Sequence, residues 1–334
     1  MKQLHFNYIL GPESLAAVDG VSARPGALQT LLTLAKRAES GGIDALVFRD
    51  ANNAGLVREG CAFLPYEPFT AFAALAAATD RIGLAAAVSP RTSQPYNVAR
   101  RLATIDHISR GRAGWHITPS ADQQQEQYGD LSRPPVEAVA ARDAEFLEVV
   151  HQLWDSWSPD AIVIRSDGRV KVNGEGNGPI DHRGHYFSVK GPLDVPRPPQ
   201  GRPVLFHSVV TEDDMDMAAR FADVVIAEAM DLEATAKFAD EMSLRLKSHA
   251  RDRADVRIMP VLGSTNTCTA EAVTERITQW HGAGIIDGFS LAGTCLNGFI
   301  DEVMPLLRQA GMLPEKTGPS TLRERLGLKN LYME

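Results

Sequence analysis

The sequence predicts a (β/α)8 barrel, and three observations carry that prediction. Eight short apolar runs alternate with amphipathic helical periods along most of its 334 residues. The runs are apolar at successive positions, as strands are when helices cover a parallel sheet. The first strand-to-helix turn, LGPESLAAVDGVSARPGA, lacks the GxGxxG that announces a doubly wound open sheet, the competing fold.

In order, the strand-like runs are LHFNYIL (4–10), DALVFRD (44–50), IGLAAAVSP (82–90) and RAGWHITPS (112–120). They resume at PVLFHSV (203–209), DVVIAEAM (223–230), RIMPVLGSTN (257–266) and IDGFSLAG (286–293). Between them, Leu28, Leu31, Leu32, Ala35 and Ala38 share one helical face, as do Val98, Ala99, Leu102 and Ile105. Phe146, Val150, Leu153, Trp154 and Trp157 mark a longer helix, and a final helix is expected near 297–310. The alternation breaks once, across 158–202, a stretch rich in Gly, Pro and charge with a hairpin-like HYFSV inside it. An insertion of that length between strands four and five reads as an excursion over the barrel mouth, within one domain spanning 1–334. The polar tail, 312–334, is expected to wrap the surface or a partner subunit.

Composition narrows the function. With 44% hydrophobic and 23% charged residues the chain has ordinary globular composition, and its net charge of −8 argues against nucleic acid or an anionic membrane as main partner. Cys61, Cys268 and Cys295 are widely spaced and odd in number, which implies neither a disulfide framework nor a metal knuckle and fits a reducing cytoplasm. The start, MKQLHFNYIL, lacks a signal-peptide pattern, and no apolar run approaches a membrane span. A soluble cytoplasmic protein is expected.

In a barrel of this kind reactive groups collect at the carboxyl ends of the strands. Those ends carry Asp50, Ser89 with Arg91, His116 with Thr118, His207 with Ser208, Glu228 and Asn266. Each alone is as well explained by capping the next loop or helix; together they favour a polar pocket, since unpartnered buried polar groups are costly. His116, His207 and Glu228 are the catalytic candidates, because imidazole and carboxylate exchange protons near neutral pH. No third ligand stands at metal spacing beside the two histidines, and no GxSxG elbow suggests a serine hydrolase. Arg91, just past a strand end, is the candidate for an anionic substrate group.

Two long stretches add a resemblance. QPYNVARRLATIDHISRGRAGWHITPS (94–120) and LWDSW (153–157) followed by DHRGHYFSVKGPLDVPRPPQGRPV (181–204) resemble the bacterial-luciferase-like flavin monooxygenases. The similar group is that of the nitrilotriacetate, EDTA and dibenzothiophene-sulfone enzymes, and AARFAD (218–223) and TLRERLGL (321–328) are similar as well. The resemblance implies reduced FMN supplied by a separate flavin reductase, oxygenation of a small organic substrate, and a homodimer or dimer of dimers. It places Asp50 and Ser89 beside the flavin ring. Asn97, Thr118, Ser208 and Thr211 complete the candidate cofactor set.

The chain also departs from that pattern. Asn97 stands where relatives carry histidine, and Val136–Ala140 replaces a run with His and Tyr near the phosphate. The phosphate loop, usually AGxSxxG, reads Ser208-Val209-Val210-Thr211-Glu212-Asp213-Asp214. Thr211 with Asp214 fits the start signal of a self-capped helix. In the blander reading, the acidic turn merely complements the helix dipole. A carboxylate about 5 Å from one unit of phosphate charge costs about 3 kcal/mol at an effective dielectric of 20. Two other readings therefore stand beside the flavin enzyme: a flavin-independent barrel doing acid–base chemistry of isomerase, dehydratase or cyclase type, and a non-catalytic partner subunit.

Overall fold

In the computed structural model the described residues are 3–11, 28–48, 66–117, 136–164, 170–172, 176–228, 231–263, 268–293, 296–313 and 320–332. The first half runs β1 (His5–Leu10), α1 (Leu28–Gly41), β2 (Ala45–Phe48), α2 (Pro68–Ala78), β3 (Gly83–Ala87), α3 (Pro95–Ser109), β4 (Ala113–Ile117) and α4 (Val136–Asp155). Two antiparallel hairpins follow, β5 (Ile162–Ile164) with β6 (Val170–Val172) and β7 (His182–Arg183) with β8 (Ser188–Val189). The barrel resumes with β9 (Val204–Val209), α5 (Glu212–Phe221), β10 (Val224–Ala227), α6 (Leu232–Ser248), β11 (Arg257–Ile258), β12 (Val261–Leu262), α7 (Ala270–Gly282) and β13 (Gly288–Leu291). A helical run then passes from α8 (Leu296–Gly298) through a π turn (Phe299–Val303) into α9 (Met304–Gln309), and α10 (Leu322–Arg325) lies near the end.

Each predicted strand run contains a strand, and the strands close into a ring. Parallel pairing runs β11-β10-β9-β4-β3-β2-β1-β13-β12. Since β11 and β12 are two halves of one extended stretch, that order joins its own ends. Met259 N–H donates to Val225 O, while Asp287 and Ser290 N–H donate to Ile258 O and Pro260 O, each at 2.9 Å. Proline at 260 supplies no N–H, which is why the seventh stave is assigned as two short pieces.

Strand alternation sorts side chains into two cores. Phe6, Tyr8, Leu46, Phe48, Trp115, Leu205 and Val225 join the layer between sheet and helices. Ile9, Val47, Ala85, Phe206, Val224, Ile226 and Met259 fill the barrel itself. The helices hold the outer layer by buried stripes, with Leu31, Leu34, Ala35 and Ala38 on α1 and Val98, Ala99, Leu102 and Ile105 on α3. Glu67 caps α2 by accepting from Phe69 and Thr70 N–H at 3.1 and 2.8 Å.

Part of the tail turns inward, while Leu331 and Tyr332 rest on Arg197 and Pro198 of the excursion. Leu322, Leu326 and Leu328 are buried in the barrel-interior core, so α10 plugs the end where the strands begin. Glycine makes room for the plug: a Cβ at Gly83 would lie 2.7 Å from both Leu322 methyls. Arg323 pairs with Asp223 at 2.8 Å and holds the plug to the start of β10. Burial alone would raise the Asp223 carboxyl, but the Arg323 guanidinium and the Leu205 N–H bring it below the usual range.

Several described contacts of the excursion lie along the outer helices, and Gln200 at its end reaches the floor of the barrel. Glu145 on α4 accepts from the backbone N–H groups of His185, Tyr186 and Phe187, fixing the turn between β7 and β8. Trp157 Nε1 donates to Leu193 O at 2.8 Å, and Tyr96 at the start of α3 donates to Pro192 O at 3.2 Å.

Candidate active site at the carboxyl ends of β4 and β9

His116 and Ser208 meet inside the barrel. Register pairs His116 with Phe206, so His116, Phe206 and Ser208 share the inner face of β4 and β9. Nδ1 of His116 lies 2.7 Å from the carbonyl oxygen of Phe48, and Nε2 lies 2.9 Å from Ser208 Oγ. A carbonyl only accepts, so Nδ1 carries the proton; in the neutral ring Nε2 then accepts from the Ser208 hydroxyl. His116 is 1% exposed and Ser208 half-buried, so the pair presents its hydroxyl end to the lumen.

His207, the other catalytic candidate on these strands, faces the opposite way. It pairs with Ile117, on the outer face, and its Nδ1 donates to the Ser208 carbonyl at 2.9 Å. Burial lowers its pKa, against the opposing pull of Asp214. It is a neutral ring packed behind the sheet, so His116 meets Ser208 and not His207. Glu228 follows Ile226 in alternation, on the inner side of β10, and is exposed at the rim.

The remaining candidates divide. Ser89 is 4% exposed and its Oγ accepts from Arg91 N–H at 3.2 Å, opening the 3-10 turn Pro90–Thr92; its own hydroxyl proton is still available to donate. Arg91 is drawn to Asp143 on α4, Nε to Oδ2 at 3.1 Å, and Arg142 approaches the other oxygen at 3.6 Å. Burial pushes the Asp143 carboxyl above its ordinary range even against these two guanidinium groups. Arg91 therefore already has an anion. Asn97 is exposed on the first turn of α3. Asp50, Thr118 and Asn266 lie outside the described residues.

Thr211 and Asp214 form the self-capped helix start that the sequence suggests. Thr211 Oγ1 accepts from Asp214 N–H at 3.2 Å. In return Asp214 Oδ2 accepts from Val210 N–H (3.3 Å), Thr211 N–H (2.9 Å) and the Thr211 hydroxyl (2.8 Å). The Val210 and Thr211 N–H groups that lead into α5 are spent on a carboxylate of the same chain, where a phosphate would otherwise draw on them. The described residues here do not fit a phosphate group.

Sequence reasoning named Ser208 but missed its pairing with His116, and it missed Asp143 and Asn7. In VLFHSV apolar and polar residues fall on both faces, so nothing tells inward from outward and Ser208 was not distinguishable as the partner of His116. Asp143, inside a helix, gave no signal that it would neutralise Arg91. Asn7, 1% exposed on β1, donates to Met259 Sδ at 3.6 Å and leaves Oδ1 without a hydrogen-bond partner among the described residues. No group of three His, Cys, Asp or Glu side chains among the described residues is arranged to hold a metal. No described helix is long and apolar enough to cross a membrane.

Polar groups gathered at the carboxyl ends of a closed parallel barrel stand where (β/α)8-barrel enzymes carry their active sites. The kinship is specific: the pattern of the luciferase-like monooxygenase family matches residues 12–308, and the chain belongs to that family. It is 34% identical over 247 residues to N-acetyl-S-(2-succino)cysteine monooxygenase of Bacillus subtilis, covering 74% of this chain and 56% of that protein. With dibenzothiophene-sulfone monooxygenase of Rhodococcus erythropolis it shares 33% over 222 residues, 65% of this chain and 49% of that one. The chain thus spans about half the length of these relatives. A different proportion holds for one of the subunits of pristinamycin IIA synthase of Streptomyces pristinaespiralis, 33% identical over 306 residues, 90% of this chain and 89% of that one. Among solved structures, EDTA monooxygenase from Chelativorans sp. BNC1 superposes with a TM-score of 0.85 at 24% identity, covering 98% of this chain and 99% of the other.

Proposed function

We propose that the chain is the oxygenating component of a two-component, flavin-dependent monooxygenase acting on a small organic substrate. Family membership across residues 12–308 carries this reading. Reduced flavin, delivered by a separate reductase, supplies the electrons that activate O2. The chain's own part is to exclude water and to move protons at the lumen. A proton leaving a bound substrate passes to Ser208 Oγ as the hydroxyl proton passes to His116 Nε2, while the Phe48 carbonyl steadies Nδ1–H. Glu228 stands at the same rim as a second proton acceptor, and Ser89, with Asp50 and Thr118, is assigned to the flavin ring. The protein works in the cytoplasm as one barrel domain, a homodimer or dimer of dimers.

The test is purified chain with a flavin reductase, NADH, flavin and 18O2 across a panel of small thioethers, sulfones, amines and alkanes. One 18O atom in a product, dependent on the chain, is expected. Oxygen uptake no greater than that of the reductase alone for every compound would overturn the reading.

A second reading is favoured by the near-full-length kinship with a relative that is one subunit of a synthase. In it the chain works alongside a longer related chain. Co-expression with such a chain followed by affinity capture decides it, a stoichiometric complex being the expected result.

A further inference from the structure

The N-terminus of α5 is the helix start that follows Ser208 along the chain, two residues beyond the end of β9. A group anchored at the His116–Ser208 rim would ordinarily find its phosphate cradle there. The donors beside this helix start are turned to the chain's own carboxylate. Val210 N–H, Thr211 N–H and the Thr211 hydroxyl converge on Asp214 Oδ2. Glu212 and Asp213 add two exposed carboxylates to the same turn. Arg91 and Arg142, from the 3-10 turn and α4, both approach the buried carboxylate of Asp143. The basic ring nearest on the strand, His207, is buried and neutral.

A phosphate that takes the Val210 and Thr211 donors must displace Asp214, and it then shares the turn with three carboxylates. We propose that this chain recognises its flavin by the ring system and gains nothing from the phosphate, so that riboflavin binds as tightly as FMN. Asp214 is the residue that sets this indifference, by filling the cradle with the protein's own negative charge. The inference rests on the flavin dependence proposed above.

The experiment titrates oxidised riboflavin and oxidised FMN separately into the full chain, following flavin fluorescence, with thermal melting to verify folding. In the unaltered protein the two dissociation constants agree within threefold. Asp214→Gly, which empties the cradle, tightens FMN tenfold or more and leaves riboflavin within twofold. Asp214→Asn, which keeps a capping oxygen and removes the charge, moves FMN in the same direction by a smaller factor. It serves as the folded comparison if the glycine variant melts early. FMN binding tenfold tighter than riboflavin to the unaltered protein overturns this inference alone, as does an Asp214 pair of variants that leaves the ratio unchanged. Failure of both flavins to bind overturns the flavin reading along with it.

Discussion

Ser208 contributes one oxygen to the lumen, and that oxygen has two duties. It gives the buried Nε2 of His116 its hydrogen bond at 2.9 Å, and it is the half-exposed end of the pair. Ser208→Ala removes both, taking from Nε2 the hydrogen bond that Ser208 supplies. A lost hydrogen bond of this kind costs about 0.5–1.5 kcal/mol, so urea denaturation of the variant reads a loss in that range. The Phe48 carbonyl still fixes Nδ1–H, so 15N NMR of the variant shows the same tautomer while oxygenation falls by about a hundredfold, the low end of what a positioned proton carrier contributes. A changed tautomer together with undiminished turnover would remove Ser208 from the chemistry. At this scale the sequence was only partly informative. Residue types such as His116 and Ser208 stand out because polar groups at strand ends need a reason, and Asp214 stands out as the partner of Thr211 in a capping box. Direction does not stand out: in β9 the inward Val204 and Phe206 are no more apolar than the outward Leu205 and Val209. Both faces of a barrel strand are dry, so the usual contrast that reveals orientation is missing.

At the level of elements, strands and long helices were legible for the reason that the tail was not. A stave buried on both sides writes a continuous apolar run, and a helix of three turns writes a repeated stripe. The plug α10 is four residues long, and Leu322, Leu326 and Leu328 are interleaved with Arg323, Glu324 and Arg325. That pattern is too short for a stripe and too charged for a strand. Its fit becomes clear only in space, where Leu322 enters against Gly83 and Thr321 closes over Gly111. Leu322 is wholly buried, so Leu322→Ala opens a cavity at the floor of the barrel. Buried Leu→Ala changes cost about 2–5 kcal/mol, and chemical denaturation of the variant should read a loss in that span. A loss below about 0.5 kcal/mol, typical of surface positions, would mean that the plug is loosely held.

For the whole molecule, the floor of the barrel is tied together through Asp106. Its carboxylate, at the end of α3, accepts from Ala113 N–H at 3.0 Å, Gln200 N–H at 3.1 Å and Gln200 Nε2 at 2.7 Å. Gln200 closes the excursion, and its Oε1 accepts from Arg323 N–H at 2.9 Å on the plug. One buried acid thus joins the third helix, the fourth strand, the inserted segment and the chain end. Full burial pushes the Asp106 carboxyl up to about 6 from an ordinary 3.8, although three donors pull it down. Between those two values the folded protein holds a proton that the unfolded chain has released. Asp106's contribution to stability is therefore complete below the ordinary value and declines as pH rises through about 6, by at most about 3 kcal/mol for a shift of this size. Asp106→Asn titrates nothing, so it lacks this decline. It also turns an amide N–H toward Gln200 N–H, which sets donor against donor and costs about 1–3 kcal/mol. Urea unfolding of both proteins at pH 4.5 and 7.5 separates the effects. The variant is the weaker at pH 4.5, and the gap narrows at pH 7.5, where the unaltered protein carries a buried charge. A gap that widens with pH would mean that the donors around Asp106 outweigh its burial, and that the floor is held by an ionised carboxylate throughout.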